Sequence, residues 1–492
     1  MIIEDRFYGP GKTLTMFLAV ALLYICVCSS LSAQSGPSPV PRRSSSQHEI
    51  IINGQKTIYR TEAEETFLYG KDEKRPLASA ITFSYIRGAE GQDEKRPVIF
   101  FFNGGPGASS SPLHLHTFGP IVISAGEKRA LVTNENTLLD IADLVFIDPA
   151  GTGFTRIMEA DSVKSLWDVQ GDARAMLKVI GSWIGTNGRK SSPLYICGES
   201  YGTLRLAEMV GLNEEIKISG IILLSAVFDL TSSSDVQGND IPYVLGFPTM
   251  AAISFYHHRS AVKAKNEADI FDKASAFAGS TYLTALTMGS RLTNDEKRKV
   301  ASRMSQYIGL SADSLMAKDL RIGPYDFQVM LLAAQDKRIG ILDGRKTGPL
   351  HTDLKPPFSD PSMSLGRDTA ASRLMKYYFT TSLNFPDTGS YRSLNMKVNS
   401  IWNWSSAQKE FYFTVIPEFA DAIKKSPELK IFMAGGIFDM ATSLYSARYQ
   451  MDHSGISSGR ITFELFPTGH SIFEDKVQLK ILADKIRLFI LN

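Results

Sequence analysis

Cysteine is scarce. The 492-residue chain has three, and two of them, Cys26 and Cys28, lie in a stretch near its start. With that stretch removed, Cys197 stands alone, so no internal disulfide can form and stability must come from the core. Cys197 sits in an apolar strand pattern and reads as a small buried hydrophobe, not as a reactive thiol. Charge of one sign is missing too: 53 Lys and Arg face 51 Asp and Glu, a formal net charge of +2, with no basic block or acidic tail. Nucleic acid is therefore not an implied partner, since a footprint on phosphate needs clustered cations. No HExxH and no paired Cys/His ligand spacing occurs, so no metal and no other cofactor is expected.

The apolar run Leu14 to Cys28 is short for a bilayer span and is followed by Ser-Ser-Leu-Ser-Ala33. It reads as a signal peptide over residues 1–33, cleaved after Ala33, which makes the protein exported, periplasmic or secreted, without stable membrane insertion. Glu4 and Asp5 stand where that reading wants basic residues. A lipid anchor on Cys26 or Cys28 is disfavoured by the bulky Ile25 and Val27 before them.

What is present is ordinary globular composition, 43% hydrophobic and 21% charged, enough for a sizeable core. Residues 34–47, rich in Pro and Ser, predict a disordered lead-in. Alternating segments at Glu49 to Asn53, Lys56 to Arg60 and Ser79 to Arg87 predict antiparallel strands at a sheet edge. The string DEKRP, at Asp72 to Pro76 and again at Asp93 to Pro97, predicts two solvated turns before strands. Continuously apolar runs at Val98 to Phe102, Asp143 to Ile147, Leu194 to Cys197 and Ile218 to Leu224 predict strands buried on both faces. Between the second and third, Ala173, Leu177, Ile180 and Ile184 keep helical spacing.

The strand-helix rhythm lapses between residues 229 and 428, then returns with Leu429 to Met433, Arg460 to Leu465 and a last helix carrying Leu479, Leu482, Ile486 and Phe489 on one face. The prediction is an α/β fold with a mostly parallel central sheet and helices on both faces. Its core would be split over residues 48–228 and 429–492, with a cap inserted at 229–428.

Gly198-Glu-Ser200-Tyr-Gly202 lies between a strand and a helix, with glycines on both sides of the serine. This is the pattern of a sharp elbow that lifts a serine hydroxyl clear of a sheet. A hydroxyl nucleophile needs a neutral base within reach, and that base needs an orienting carboxylate. Asp439 follows one returning strand and His470 follows the next. The order Ser200, Asp439, His470 at strand ends is that of an α/β-hydrolase. His114, His116, His257, His258 and His453 lie on helices, loops or the insertion and fit the base less well.

Five segments in order, FFNGGPGASS from Phe101, ADLVFIDPAGTGFT from Ala142, CGESYG from Cys197, the Asp439 segment and FPTGH from Phe466, resemble the serine carboxypeptidase family. The segments Gly238 to His258 and Leu342-Asp-Gly-Arg345 are similar to bacterial members. The resemblance implies that Gly105 and Tyr201 present backbone N–H groups to an oxyanion, and that Asn103 and Glu199 bind the carboxylate of a peptide or protein C-terminus. Because two carboxylates in contact cannot both stay ionised, an acidic working range is expected.

The chain departs from the family at Ala108, where a cysteine is usual, at Thr117, where a further glutamate is usual, and at Thr155 in the segment after Phe154. The reading is a carboxypeptidase working through an acyl-enzyme. The alternatives are an esterase or acyltransferase on the same scaffold and a binding protein that keeps the fold.

Overall fold

The computed structural model describes residues 39–70, 75–88, 95–126, 128–230, 232, 236–387, 389–409 and 412–492. The expected signal peptide, the first part of the lead-in, residues 72–74 of the first DEKRP string and 93–94 of the second lie outside the described residues; in the second string Arg96 is mostly buried against Asp143 at 2.9 Å and is not solvated as expected. Residues 42–492 form one compact unit.

Nine strands make the main sheet: β1 (Arg43–Ile52), β2 (Gln55–Tyr69), β3 (Pro76–Arg87), β4 (Val98–Phe102), β5 (Asp143–Asp148), β6 (Leu194–Glu199), β7 (Gly220–Leu224), β8 (Lys430–Gly436) and β9 (Ile461–Phe466). Their spatial order is β1-β2-β3-β5-β4-β6-β7-β8-β9. The first three join by antiparallel pairing and hand over to β5, beyond which every pairing is parallel. Helices follow in chain order: α1 (Val169–Thr186), α2 (Tyr201–Leu212), α3 (Ile241–Tyr256), α4 (Glu267–Phe277), α5 (Asn294–Ile308), α6 (Ile416–Lys425) and the terminal α7 (Lys476–Leu491).

The unbroken apolar strands are covered on both sides. In β4, Val98, Phe100 and Phe102 point into the core layer beneath α1, α2 and α6, while Ile99 and Phe101 point into the layer beneath α7. The alternation follows from the two-residue period of a strand. Cys197 faces the α7 layer and is fully buried, as a small hydrophobe should be. In α7 the predicted face Leu479, Leu482, Ile486 and Phe489 is the buried one.

Two boundaries differ from the sequence reading. The lead-in expected to run to residue 47 ends sooner, because Arg43 to Gln47 already pair with β2. Two of the serines there bond their hydroxyls within the fold, Ser44 on the carbonyl of Leu383 and Ser46 on Thr61, so a polar stretch completes a strand. The expected cap at 229–428 is also not one piece. Residues 244–341 build their own apolar cluster, but Ala371, Met375, Tyr378, Phe379 and Phe385 join the α7 layer of the core. Helix α6 packs Phe419, Ala420 and Ile423 into the α1/α2 layer. The core thus resumes before residue 429.

Candidate active site

The elbow begins where β6 ends. Ser200 has φ 59° and ψ −131°, a backbone conformation that a non-glycine residue holds only at a cost of about 1–3 kcal/mol and only where its surroundings enforce it. The enforcement is close packing. A Cβ on Gly198 would lie 2.5 Å from the carbonyl oxygen of Gly202, and one on Gly202 would lie 3.0 Å from that of Phe102. The amide of Ser200 donates to the carbonyl of Leu224 at 3.0 Å, tying the elbow to the end of β7.

The turn after β4 lies on this elbow. A Cβ on Gly104 would come within 2.4 Å of the backbone nitrogen of Tyr201, so the Asn103 to Gly107 turn abuts the first residue of α2. Among the described residues, the N–H groups of Gly105 and Tyr201 have no acceptor in the chain. Tyr201 owes this to its place at a helix start, where amides have no partner within the helix. Of these two free donors, one belongs to the residue after the strained serine and the other to the turn that abuts it.

Asp439 follows β8 and His470 follows β9, neighbouring parallel strands. Nδ1 of His470 lies 2.7 Å from Oδ2 of Asp439, whose side chain is fully buried. The other carboxylate oxygen accepts from the amides of Ala441 (2.8 Å) and Thr442 (3.1 Å), and the Thr442 hydroxyl donates to Oδ2 at 2.5 Å. Ser225, at the end of β7 with φ 49°, donates its hydroxyl to the carbonyl of His470 at 2.6 Å, while its amide donates to Ala434 on β8. The loops carrying Ser200 and His470 thus converge on the end of β7, at its last residue Leu224 and at Ser225 just after it. Burial opposes a charge on His470, but Asp439, by charge and hydrogen bond, and then Glu199 and Glu474 outweigh it and lift the imidazole to about 9.

The carboxamide of Asn103 donates to the carboxylate of Glu199, and both side chains are buried. Asn103 is held in turn by the amide of Leu113, which donates to Oδ1 at 3.1 Å, and by Arg205, whose Nη1 donates to its backbone carbonyl at 2.7 Å. Burial pushes Glu199 up to about 7, against the pull of His470 and of the Asn103 hydrogen bond. Glu199 and His470 therefore influence each other's protons. Thr117, in the place of the usual glutamate, is fully buried and spends its hydroxyl on the carbonyl of Pro112 at 2.8 Å.

Thr442, Ser225 and the Arg205–Asp172 pair were not singled out by the sequence. Each is an ordinary residue type whose meaning lies in its contacts, and only the nearness of Arg205 to the elbow and of Thr442 to Asp439 could have drawn notice. Three of the other histidines are engaged elsewhere: His114 with the hydroxyl of Tyr85 at 2.6 Å, His257 with the carbonyl of Gly344 at 2.8 Å, and His453 with that of Tyr449 at 2.8 Å. Among the described residues no group of His, Cys, Asp or Glu is placed to hold a metal ion, and no helix is long and apolar enough to cross a membrane.

Residues 77–460 match the family described as serine carboxypeptidase. The chain is similar to Serine carboxypeptidase-like 13 of Arabidopsis thaliana, 29% identical over 182 residues that cover 35% of this chain and 40% of that protein. It is also similar to the pheromone-processing carboxypeptidase KEX1 of Komagataella phaffii, 43% identical over 63 residues that cover 13% of this chain and 10% of that protein. The matches span 36% to 44% of the length of the plant relatives. Among solved structures, KEX1(Δ)P, a prohormone-processing carboxypeptidase from Saccharomyces cerevisiae, aligns with a TM-score of 0.53 at 13% identity, covering 86% of this chain and 90% of that one. At that identity the likeness concerns the α/β-hydrolase fold. These named relatives are eukaryotic.

Proposed function

The chain belongs to the serine carboxypeptidase family, and from that premise we propose that it is an exported serine carboxypeptidase of bacterial type, removing residues from the C-termini of peptides and proteins. Bacterial type rests on the Gly238 to His258 and Leu342 to Arg345 segments, and export on the apolar leader. In this reading the Ser200 hydroxyl attacks the last peptide carbonyl while His470 takes its proton through Nε2. Asp439, at the other ring nitrogen, fixes the tautomer and stabilises the imidazolium. The carbonyl oxygen, now carrying the negative charge, is met by the N–H groups of Gly105 and Tyr201. His470 passes the proton to the leaving amine, the C–N bond breaks, and the terminal amino acid departs. Water, deprotonated by His470, then releases the shortened peptide from Ser200 and the serine regains its proton.

The observation that carries this reading is the buried Asn103–Glu199 pair directly before the strained serine. A protonated Glu199 and the Asn103 amide suit a carboxylate one residue beyond the attacked bond. Activity then falls as Glu199 ionises above about 7. Protonation of Glu199 also removes one of the charges that hold the proton on His470, so the acid edge of activity lies below about 9.

The test is incubation of the mature chain with matched free-acid and C-terminally amidated peptides over a range of pH. Release of one residue from the free acids alone, lost in Ser200→Ala together with labelling by a fluorophosphonate, is the expected result. Cleavage of both peptides alike would overturn the assignment of Asn103 and Glu199. Absence of labelling would overturn the nucleophile, and an alcohol acceptor outcompeting water would make the protein an acyltransferase.

A further inference from the structure

The segment Leu342-Asp-Gly-Arg345 is carried by a small ribbon, Lys337–Ile339 paired with Thr347–Pro349, as a turn over the loops that follow β8 and β9. Its contacts fall on both sides of Asp439 and on His470 itself. The amide of Gly344 donates to the carbonyl of Phe438 at 3.0 Å, and that of Met440 donates to Ile341 at 2.9 Å. The amide of His470 donates to the carbonyl of Leu342 at 2.6 Å. Gly469 passes so close that a Cβ there would lie 2.5 Å from the Cβ of Asp343.

Arg345 closes the arrangement. It grips Asp343 with Nε at 3.0 Å and Nη2 at 2.9 Å, donates through Nη1 to the carbonyl of Pro467 at 3.0 Å, and covers the ring of Phe438 at 5.1 Å. One guanidinium thus touches the loop of Asp439 and the loop of His470 at once. The turn is braced from the insertion as well: His257, at the end of α3, bonds the carbonyl of Gly344, and Ile253 packs where a Cβ on Gly344 would fall. A planar fork making several bonds from one side chain holds geometry better than a lysine could.

The geometry points to Asp343 and Arg345 as positioning residues that set the register between Asp439 and His470, so that the insertion governs how well the base is oriented. This rests on the proposed roles of Ser200, Asp439 and His470. Neither residue of the turn touches the reacting atoms. They act by keeping the two loops from sliding, and a misplacement of about 1 Å at such a distance from the chemistry costs up to about a hundredfold in rate.

The test compares wild type, Arg345→Lys and the double variant Asp343→Asn/Arg345→Met in the full mature chain. The double variant is used because removing Arg345 alone would leave a buried carboxylate unpaired. The readout is the second-order rate of fluorophosphonate labelling at Ser200 across pH, with thermal unfolding measured beside it. His470 is faced by Asp439 and Thr442 from the β8 loop, by Glu199 from the elbow and by Glu474 from its own loop, and those groups are unchanged in every variant.

Labelling is expected to drop about tenfold to a hundredfold in the double variant and less in Arg345→Lys. The midpoint of its acid limb should move to lower pH, because a looser Asp439 contact holds the imidazole proton less firmly. A folded double variant with an unchanged rate and midpoint would overturn the proposal. If the double variant does not fold, Arg345→Lys decides by the same two numbers. Failure of the wild type itself to label would count against the proposed nucleophile and not against the turn.

Discussion

The Asn103 carboxamide donates to the Glu199 carboxylate between the ends of two adjacent parallel strands, β4 and β6, in a place water scarcely reaches. Burial raises Glu199 to about 7, so at lower pH it carries a proton that a ligand carboxylate can accept. Above that value both groups would be anionic. Binding of a non-hydrolysable peptide acid is therefore expected to weaken up to about tenfold for each pH unit above about 7, while binding of the matching amide stays flat. In Glu199→Gln, whose amide donates at every pH, the acid's profile should flatten as well. Inhibition constants measured from pH 5 to pH 9 check this, and parallel profiles for acid and amide would remove Glu199 from the carboxylate site.

Thr442 competes with His470 for the same oxygen of Asp439: its hydroxyl donates to Oδ2 at 2.5 Å, where the imidazole also bonds at 2.7 Å. Replacing it by valine, close to it in shape, removes one stabilising donor from a fully buried carboxylate. A less satisfied carboxylate attracts the imidazolium more strongly, so the His470 midpoint rises. Thr442→Val is expected to shift the acid limb of the labelling rate to higher pH. A shift the other way would show that the threonine fixes the ring more than it tempers the charge.

Arg205 is the largest of the fully buried side chains and lies between the two loops that supply the free amides. Its Nε meets Asp172 on α1 at 2.6 Å, its Nη1 holds the carbonyl of Asn103, and its guanidinium lies over the rings of Phe102 and Tyr201. The hydroxyl of Tyr201 also reaches Asp172, at 3.1 Å. Arg205→Met leaves the Asp172 carboxylate buried without its cation and should cost about 3–5 kcal/mol in stability. Asp172→Asn/Arg205→Met should recover most of that, since no unpaired charge remains. Denaturant unfolding of the single and double variants measures the difference.

The parts of this site that were legible share one property: each lies at or just past the end of a strand. Val98 to Phe102 and Leu194 to Cys197 stand out as continuously apolar runs and Leu429 to Met433 as the return of the strand rhythm, and the turn after each is where a side chain or amide can face outward. Ser200, Asp439 and His470 were expected from that placement, in chain order, whereas Asn103 and Glu199 came only from the resemblance to the serine carboxypeptidase family. Thr442, Ser225 and Arg205 were not, because a threonine, a serine and an arginine gain their meaning from partners such as His470, 245 positions from Ser225. Helix α6 was assigned to the insertion for a related reason. In the sequence the strand-helix rhythm resumes only at Leu429, just past this helix, and the helix's packing of Phe419 and Ile423 on the α1/α2 layer is what places it in the core. The start of β1 was hidden by composition, since serines satisfy a strand edge as well as they solvate a loop.

That hidden start also bears on acid stability. Arg42, just before β1, bonds Glu65 of β2 through Nε and Nη2, each at 2.9 Å, and Arg156 reaches the same carboxylate from the other side at 2.6 Å. Burial alone would raise Glu65, but the hydrogen bonds from Arg42 and Arg156 overcome it and bring the group down to about 2. A folded-state value below the unfolded one means that Glu65 stabilises the protein fully above the unfolded value of 4.5, and that this contribution is lost as pH falls toward about 2. Screening at the Arg156 end, which is 36% exposed, keeps the contribution to about 2 kcal/mol. Glu65→Gln should therefore lower the unfolding free energy by at least that amount at pH 6, because two arginines lose their shared anion, and should bring the variant and wild type closer together by pH 3. Urea unfolding at the two pH values gives the comparison. An equal gap at both would mean that the carboxylate acts through its shape and hydrogen bonds and not through its charge.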